Sequence, residues 1–204
     1  MEHDFWHQRW SEGRIGFHQA EVNTFLKDYW SQLELGGQGG VFVPLCGKSR
    51  DMLWLKELGH DVLGVELSRE ACESFFAEMG AVGSVERREA FGAHYSEGIT
   101  LLCGDFFALS EYELNAVVAV YDRAALVALP EEMRKRYAVL LNRILPKGVK
   151  LLLVTLEFDA LTGPPFSVSE TEVRTLFSQR FDIQRLGSGC DGDKTEVVWL
   201  LRDK

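Results

Sequence analysis

Short apolar runs separated by helical patterns organise this chain. Residues 41–45 (VFVPL) and 61–67 (DVLGVEL) read as buried strands. Between them, 49–58 carries Met52, Leu55 and Leu58 at helical spacing and stops at Gly59. Ser68 stands at an N-cap position, and Ala71, Phe75 and Phe76 share the apolar face of a helix running towards Met79. Further strands are predicted at 99–103, 115–121 and 149–157. A helix at 131–145 is opened by Pro130 and ended by Pro146 with Gly148. Ser169 begins another to about 178, with Glu172 as its capping-box partner. The runs 181–186 and 195–201 are close enough in sequence to pair as an antiparallel hairpin at one sheet edge, joined by a flexible 187–194. The polar stretch 81–98 reads as a loop or small hairpin, 36–40 as a glycine-rich break, and 163–166 (GPPF) as a rigid loop. Strands alternating with helices predict an α/β fold, a doubly wound and mostly parallel sheet covered on both faces.

Composition narrows the class. The 204 residues fit one domain over 1–204, with 46% hydrophobic and 26% charged residues as in ordinary soluble proteins. Twenty-two basic against 31 acidic residues give a net charge of −9, which disfavours a nucleic-acid partner. The short basic pieces Arg87-Arg88 and Arg134-Lys135-Arg136 are flanked by glutamates. Cys46, Cys72, Cys103 and Cys190 form no CxxC pair, so neither a metal site nor a disulfide framework is expected. The polar, aromatic start is unlike a signal peptide, and the longest apolar stretch, 151–156, is too short to cross a bilayer. A cytoplasmic protein with no membrane partner is expected.

In an open α/β sheet, ligands bind beyond the carboxyl ends of the strands. After the first strand comes Pro44-Leu45-Cys46-Gly47-Lys48-Ser49, after the second Glu66, after the third Gly104-Asp105, and after the fourth Asp122-Arg123. Gly-Lys-Ser is not a phosphate loop, because position 42 holds Phe42 where that motif needs glycine, and no GxGxxG is present. Gly47 still allows a tight turn and close backbone approach to a ligand. Glu66, 19 residues beyond Gly47, is placed to accept hydrogen bonds from both ribose hydroxyls of a nucleoside, or else to cap the next helix. Asp105 is a candidate for an adenine amino group, or a loop cap. At the N-terminus, Trp6 and Trp10 share a helical face, and with Phe17 they suit a lid over the site, residues 1–35, since aromatic faces stack on flat rings and attract sulfonium.

Several segments then resemble one family. FWHQRW at 5–10, GFHQ at 16–19, VPLCGK at 43–48, GHDVLGVE at 59–66, YDRAALVA at 121–128 and GPPF at 163–166 are similar to the bacterial thiopurine S-methyltransferases, in the same order. The resemblance implies a class I methyltransferase, Rossmann-like, with a seven-stranded sheet whose last strand is antiparallel. It implies S-adenosylmethionine as methyl donor, S-adenosylhomocysteine as product and a small thiol as acceptor. By motif, Trp10, Leu45, Glu66 and Arg123 would contact the cofactor, and Phe17 would lie near the acceptor. Gly47 and Asp105 join the cofactor set; Trp6 and Arg123 join the acceptor set. Arg123 would line the site and offset an anionic acceptor, or else pair with Asp122 or a nearby glutamate. No residue is assigned as a base: a thiol is nucleophilic enough without one, and His18 reads as a structural group. Ala124 stands where some relatives have glycine, and a distinct acceptor preference is expected within 187–194. A monomer is expected. Transfer to halide or to selenium and tellurium species, or a non-catalytic S-adenosyl-nucleoside-binding module, are the alternatives; an NTPase is the weakest.

Overall fold

The hydrophobic runs become strands of a single sheet. The computed structural model describes residues 3–36, 39–80, 84–88, 90–159 and 163–204. Its strands are β1 (Gly40–Val43), β2 (Asp61–Glu66), β3 (Ser84–Arg88), β4 (Phe91–Ser96), β5 (Ile99–Cys103), β6 (Val117–Arg123), β7 (Lys150–Glu157), β8 (Phe181–Asp191) and β9 (Lys194–Asp203). They lie in the order β3-β4-β5-β2-β1-β6-β7-β9-β8. Neighbours from β5 to β7 are parallel, whereas β9 is antiparallel to both β7 and β8. From β1 the chain builds outward through β2 to β5, then returns to β6 on the other side. The switch point therefore falls between β1 and β6.

The sheet has nine strands among the described residues, not seven. The extra pair is β3 with β4, an antiparallel hairpin added to the β5 edge, which is the small-hairpin reading of the polar 81–98 stretch and not the loop. Its outer strand, SVERR, carries charges along an exposed edge, which hides the apolar alternation that marks a buried strand. A second difference concerns 187–194, which is not a flexible connection: β8 runs on to Asp191 and β9 resumes at Lys194. The glycines that make this run look loop-like are packing devices. A Cβ at Gly187 would collide with the Tyr29 hydroxyl, and one at Gly189 would stand 2.9 Å from the Phe25 ring. Residues 1–2, 37–38, 81–83 and 89, which belong to the expected lid, glycine-rich break and 81–98 stretch, lie outside the described residues.

Helices cover both faces. One core, with Phe42, Leu102, Tyr137, Leu141, Phe177 and Trp199, lies under α6 (Glu131–Ile144) and α7 (Glu170–Phe177). The other, with Val41, Met52, Leu55, Phe75, Leu101 and Leu152, lies under α3 (Asp51–Glu57) and α4 (Arg69–Glu78). The helix α2 (Thr24–Tyr29) and the 3-10 turn after it also belong to this second layer, since Leu26, Trp30 and Leu33 are fully or almost fully buried there. The expected lid is therefore shorter than residues 1–35. Among the described residues of that stretch, only α1 (His3–Ser11) and the loop through Gln19 reach the cavity. Glu172 departs from its expected capping role too. Ser169 Oγ does accept from the Glu172 amide, but the Glu172 carboxylate forms a two-pronged ion pair with buried Arg134, at 2.6 and 3.1 Å.

Candidate functional site

A cavity of about 370 Å³ opens beyond the carboxyl ends of β1, β2, β5, β6 and β7, at the switch point. Its floor is the turn after β1. Leu45 and Gly47 both adopt left-handed backbone, with φ of 45° and 52°. The Trp10 ring lies over Gly47, where a Cβ would approach the ring to 3.2 Å. Both reasons call for glycine at 47. The Gly47 amide donates to Glu66 Oε2 at 2.9 Å, and the Ser68 amide donates to Glu66 Oε1 at 2.7 Å. Burial raises the Glu66 carboxyl above its ordinary range, and these N–H groups oppose the rise. A carboxylate has about four lone-pair sites, so two remain for a ligand.

Sequence reasoning offered a ribose acceptor or a helix cap at Glu66, and the side chain does brace the start of α4. Ser68, the true N-cap of α4, accepts from Ala71 N and is itself held by Glu66. Asp105 combines two features in the same way. Its Oδ1 accepts from Phe107 N at 2.9 Å, capping a 3-10 turn, while Oδ2 lies 3.4 Å from His3 Nε2 at the cavity edge.

The cover is aromatic. Trp6 and Trp10, one turn apart on α1, both meet Phe17 edge-on, with centroid separations of 5.9 and 5.6 Å. Arg123 ties this cover to the sheet through Nη1, which donates to the Phe17 carbonyl at 3.3 Å. Arg123 does not pair with Asp122, because successive strand residues point to opposite faces. Asp122 turns into the core, where it accepts from the Tyr137 hydroxyl at 2.6 Å and from Leu126 N at 3.1 Å. His18 also lines the cavity. Burial, then the Lys48 cation, lowers its pKa, so the imidazole is neutral at pH 7. Lys48 itself is ion-paired with Glu78 on α4, a structural role that agrees with rejecting a phosphate loop.

All eight predicted site residues, Trp6, Trp10, Phe17, Leu45, Gly47, Glu66, Asp105 and Arg123, line this one cavity. Arg9 was missed. Its Nε is buried without a hydrogen-bond partner among the described residues, and the side chain lines the cavity. Its position inside FWHQRW was the available signal. Tyr121, Met133, Leu156, Pro164 and Pro165 also line the cavity and were not predicted. Among the described residues, no group of three or more His, Cys, Asp or Glu is arranged to hold a metal.

Two predictions arise from β6. Ala124 has φ of 65°, a left-handed conformation. Ala124→Gly should raise stability by about 0.5–1 kcal/mol in urea denaturation, the relieved strain less the added freedom of the unfolded chain. Unchanged or lower stability would contradict this. Second, burial pushes the Asp122 pKa up to about 6, against opposing bonds from Tyr137, Leu126 and Ala125. The folded state then binds more protons than the unfolded state between roughly pH 4 and 6, so this group's contribution to stability falls as pH rises through that window. The loss is about 2–3 kcal/mol. Unfolding free energies of wild type and Asp122→Asn should converge or cross by that amount from acid to neutral pH; parallel curves would refute it.

Comparison with known proteins places this geometry. The family model described as Thiopurine S-methyltransferase (TPMT) matches residues 1–198. The Thiopurine S-methyltransferase of Pseudomonas putida is 52% identical, over all of this chain and 90% of its own length. Among solved structures, the 1,6-didemethyltoxoflavin-N1-methyltransferase of Burkholderia thailandensis, with bound 1,6-didemethyltoxoflavin and S-adenosylhomocysteine, superposes with TM-score 0.67 at 15% identity. That match covers 98% of this chain and 86% of the other. The magnesium protoporphyrin IX methyltransferase of Synechocystis superposes with TM-score 0.66 at 14% identity, over 99% and 98%. These likenesses bear out the class I methyltransferase fold. No described helix is long and apolar enough to cross a membrane.

Proposed function

The chain belongs to the thiopurine S-methyltransferase family, and from that premise we propose that it methylates the sulfur of small aromatic or heterocyclic thiols, using S-adenosylmethionine. The observation that carries this reading is the buried Glu66 carboxylate, fixed by Gly47 N and Ser68 N beneath Trp10 with two acceptor positions to spare. The cavity fits the donor: acids for ribose and adenine stand at Glu66 and Asp105, and the unpartnered Arg9 Nε suits the carboxylate of its amino-acid arm. When bound, S-adenosylmethionine supplies an electrophilic methyl on a sulfonium sulfur.

The chain's own residues then do three things. Leu45, Gly47, Glu66 and Asp105 fix the donor end, which converts an encounter into an oriented attack. Trp6, Trp10 and Phe17 exclude water. Exclusion matters because transfer from sulfonium to thiolate cancels two charges, and a water-poor cavity favours that loss of charge. Arg123, at the junction of cover and sheet, stabilises an anionic acceptor sulfur. His18 is neutral and is not needed as a base for a thiol already ionised near neutral pH. The apolar walls Met133, Leu156, Pro164 and Pro165 suit a flat ring.

We read residues 1–204 as one domain, with α1 and the following loop as its cover. The finer reading of a monomer in the cytoplasm without a nucleic-acid partner is supported by the −9 charge and by the free thiols of all four cysteines. Turnover of 6-mercaptopurine, iodide and selenite, measured side by side, tests the acceptor. Thiopurine should dominate; faster methylation of iodide or selenite would replace this reading with the halide or selenium alternative. Binding of S-adenosylhomocysteine without transfer to any acceptor would leave only a nucleoside-binding module.

A further inference from the structure

The buried carboxylate of Asp51 takes no part in the donor and acceptor contacts described above, yet it stands where the cover ends. Asp51 is the first residue of α3 and is only 2% exposed. Its two oxygens bind two different elements. Oδ1 accepts from the Asn23 amide at 2.8 Å, and Oδ2 accepts from the Tyr121 hydroxyl at 2.9 Å. Asn23 and Tyr121 are themselves buried, so water does not compete for either bond. Asn23 closes the loop that follows α1. Its Oδ1 accepts from Phe25 N and Leu26 N at the start of α2, and its Nδ2 donates to Gln19 Oε1 at 3.4 Å. Tyr121 lies two residues before Arg123 on β6, so both side chains leave the same face of the sheet. The loop therefore passes the end of β6 on two rungs. Arg123 holds the Phe17 carbonyl, and Tyr121 holds Asn23 through Asp51. Phe17, His18 and Gln19, which line the cavity, lie at the first rung or between the two.

We infer that Asp51 is a positioning residue for methyl transfer: it fastens the far end of the cover to β6, and so sets where Phe17 and Arg123 stand against the acceptor. An acid suits this task. A carboxylate accepts on both oxygens at once, and bonds to a charged acceptor are roughly twice as strong as neutral ones. Taking such a charge out of water is costly, and the two bonds from Asn23 and Tyr121 offset that cost.

Without the carboxylate, the Asn23 amide and the Tyr121 hydroxyl are left buried and unpartnered, and the loop beyond Phe17 loses its second rung. Leu45, Gly47, Glu66 and Asp105 stand at the ends of other strands and keep their places. The expected defect therefore lies in the alignment of acceptor with methyl group, not in donor binding. That consequence, though not the fastening itself, rests on the thiol-methylating reading.

The test compares variants of the full chain. Asp51→Ala should lower kcat for 6-mercaptopurine about 100-fold at saturating donor, the loss that a displacement of about 1 Å causes among positioned groups. Its affinity for S-adenosylhomocysteine should stay close to that of the wild type. Amide hydrogen exchange should rise in peptides covering 12–23 and not in those covering β1 and β2. Asp51→Asn keeps the shape, leaves an oxygen for the Asn23 amide and turns its Nδ2 to the Tyr121 oxygen, so it should recover most of the loss. Tyr121→Phe breaks the same rung at its other end, so its loss and that of Asp51→Ala should not add in the double variant. Where Asp51→Ala does not fold, Tyr121→Phe must by itself lower kcat and spare affinity. Unchanged kcat, additive losses, an affinity that falls as far as kcat, or Asp51→Asn as impaired as Asp51→Ala would each overturn the proposal. Wild type that methylates no thiol would instead sink the activity reading, and hydrogen exchange across 12–23 would still decide whether Asp51 fastens the cover.

Discussion

Replacing Glu66 with alanine should weaken S-adenosylmethionine binding about 100-fold, the loss of two hydrogen bonds to a charged acceptor at roughly 1.5 kcal/mol each. The effect is large because both oxygens are already fixed by Gly47 N and Ser68 N, so the ribose meets a preorganised acceptor. Alanine also strands those two amides, and folding should lose about 2 kcal/mol. Glu66→Gln keeps one acceptor oxygen and should weaken binding only about 10-fold. Calorimetric titration with S-adenosylhomocysteine separates the two losses, since the variants can be kept well below their melting temperatures. Unchanged affinity in Glu66→Ala would remove Glu66 from the donor site.

The largest stability effect should come from a residue that does not itself line the cavity. Arg134 is only 5% exposed, and its guanidinium is shared between Glu172 and the Leu129 carbonyl while lying over the Phe166 ring. Glu172→Leu leaves a buried cation without its counter-ion and should cost about 3–5 kcal/mol. At this chain length that corresponds to a fall in melting temperature of roughly 6–20 °C. Arg134→Met combined with Glu172→Leu should recover much of the loss, because the uncompensated charge is gone. Scanning fluorimetry of the single and double variants checks both statements; a double variant as unstable as the single one would show that packing, not charge, is at stake. The pair also steadies one wall of the cavity, since Leu129 lines it and Phe166 N bonds the carbonyl of cavity-lining Val127.

What was legible in the chain follows physical lines. Central strands such as β2 and β7 announce themselves as apolar runs, and all seven predicted runs, edge strand β8 included, became strands. The β3 strand shows no such run, because an exposed edge strand carries charge, and 81–98 was legible only as a loop or small hairpin. The 187–194 segment misled for the opposite reason: its glycines make room for Tyr29 and Phe25 across a long-range contact that no local pattern reveals. Among site residues, those at strand ends were predictable from topology alone, since ligands gather at the switch point. Arg9 and the walls Met133, Leu156 and Pro164 come from two helices, the carboxyl end of β7 and a loop that only the folded chain brings together. Glu172 had the spacing of a capping box, yet a buried arginine competed for its carboxylate and won.

The central claim is transfer to sulfur within this cavity. Incubating the protein with S-adenosylmethionine and 6-mercaptopurine, and identifying products by mass spectrometry against S-methyl and N-methyl standards, tests it most directly. The predicted result is the S-methyl purine formed in equal amount with S-adenosylhomocysteine, and lost in Glu66→Ala at donor concentrations that saturate the wild type. S-adenosylhomocysteine binding with no methylated purine, or methylation at a ring nitrogen, would contradict it.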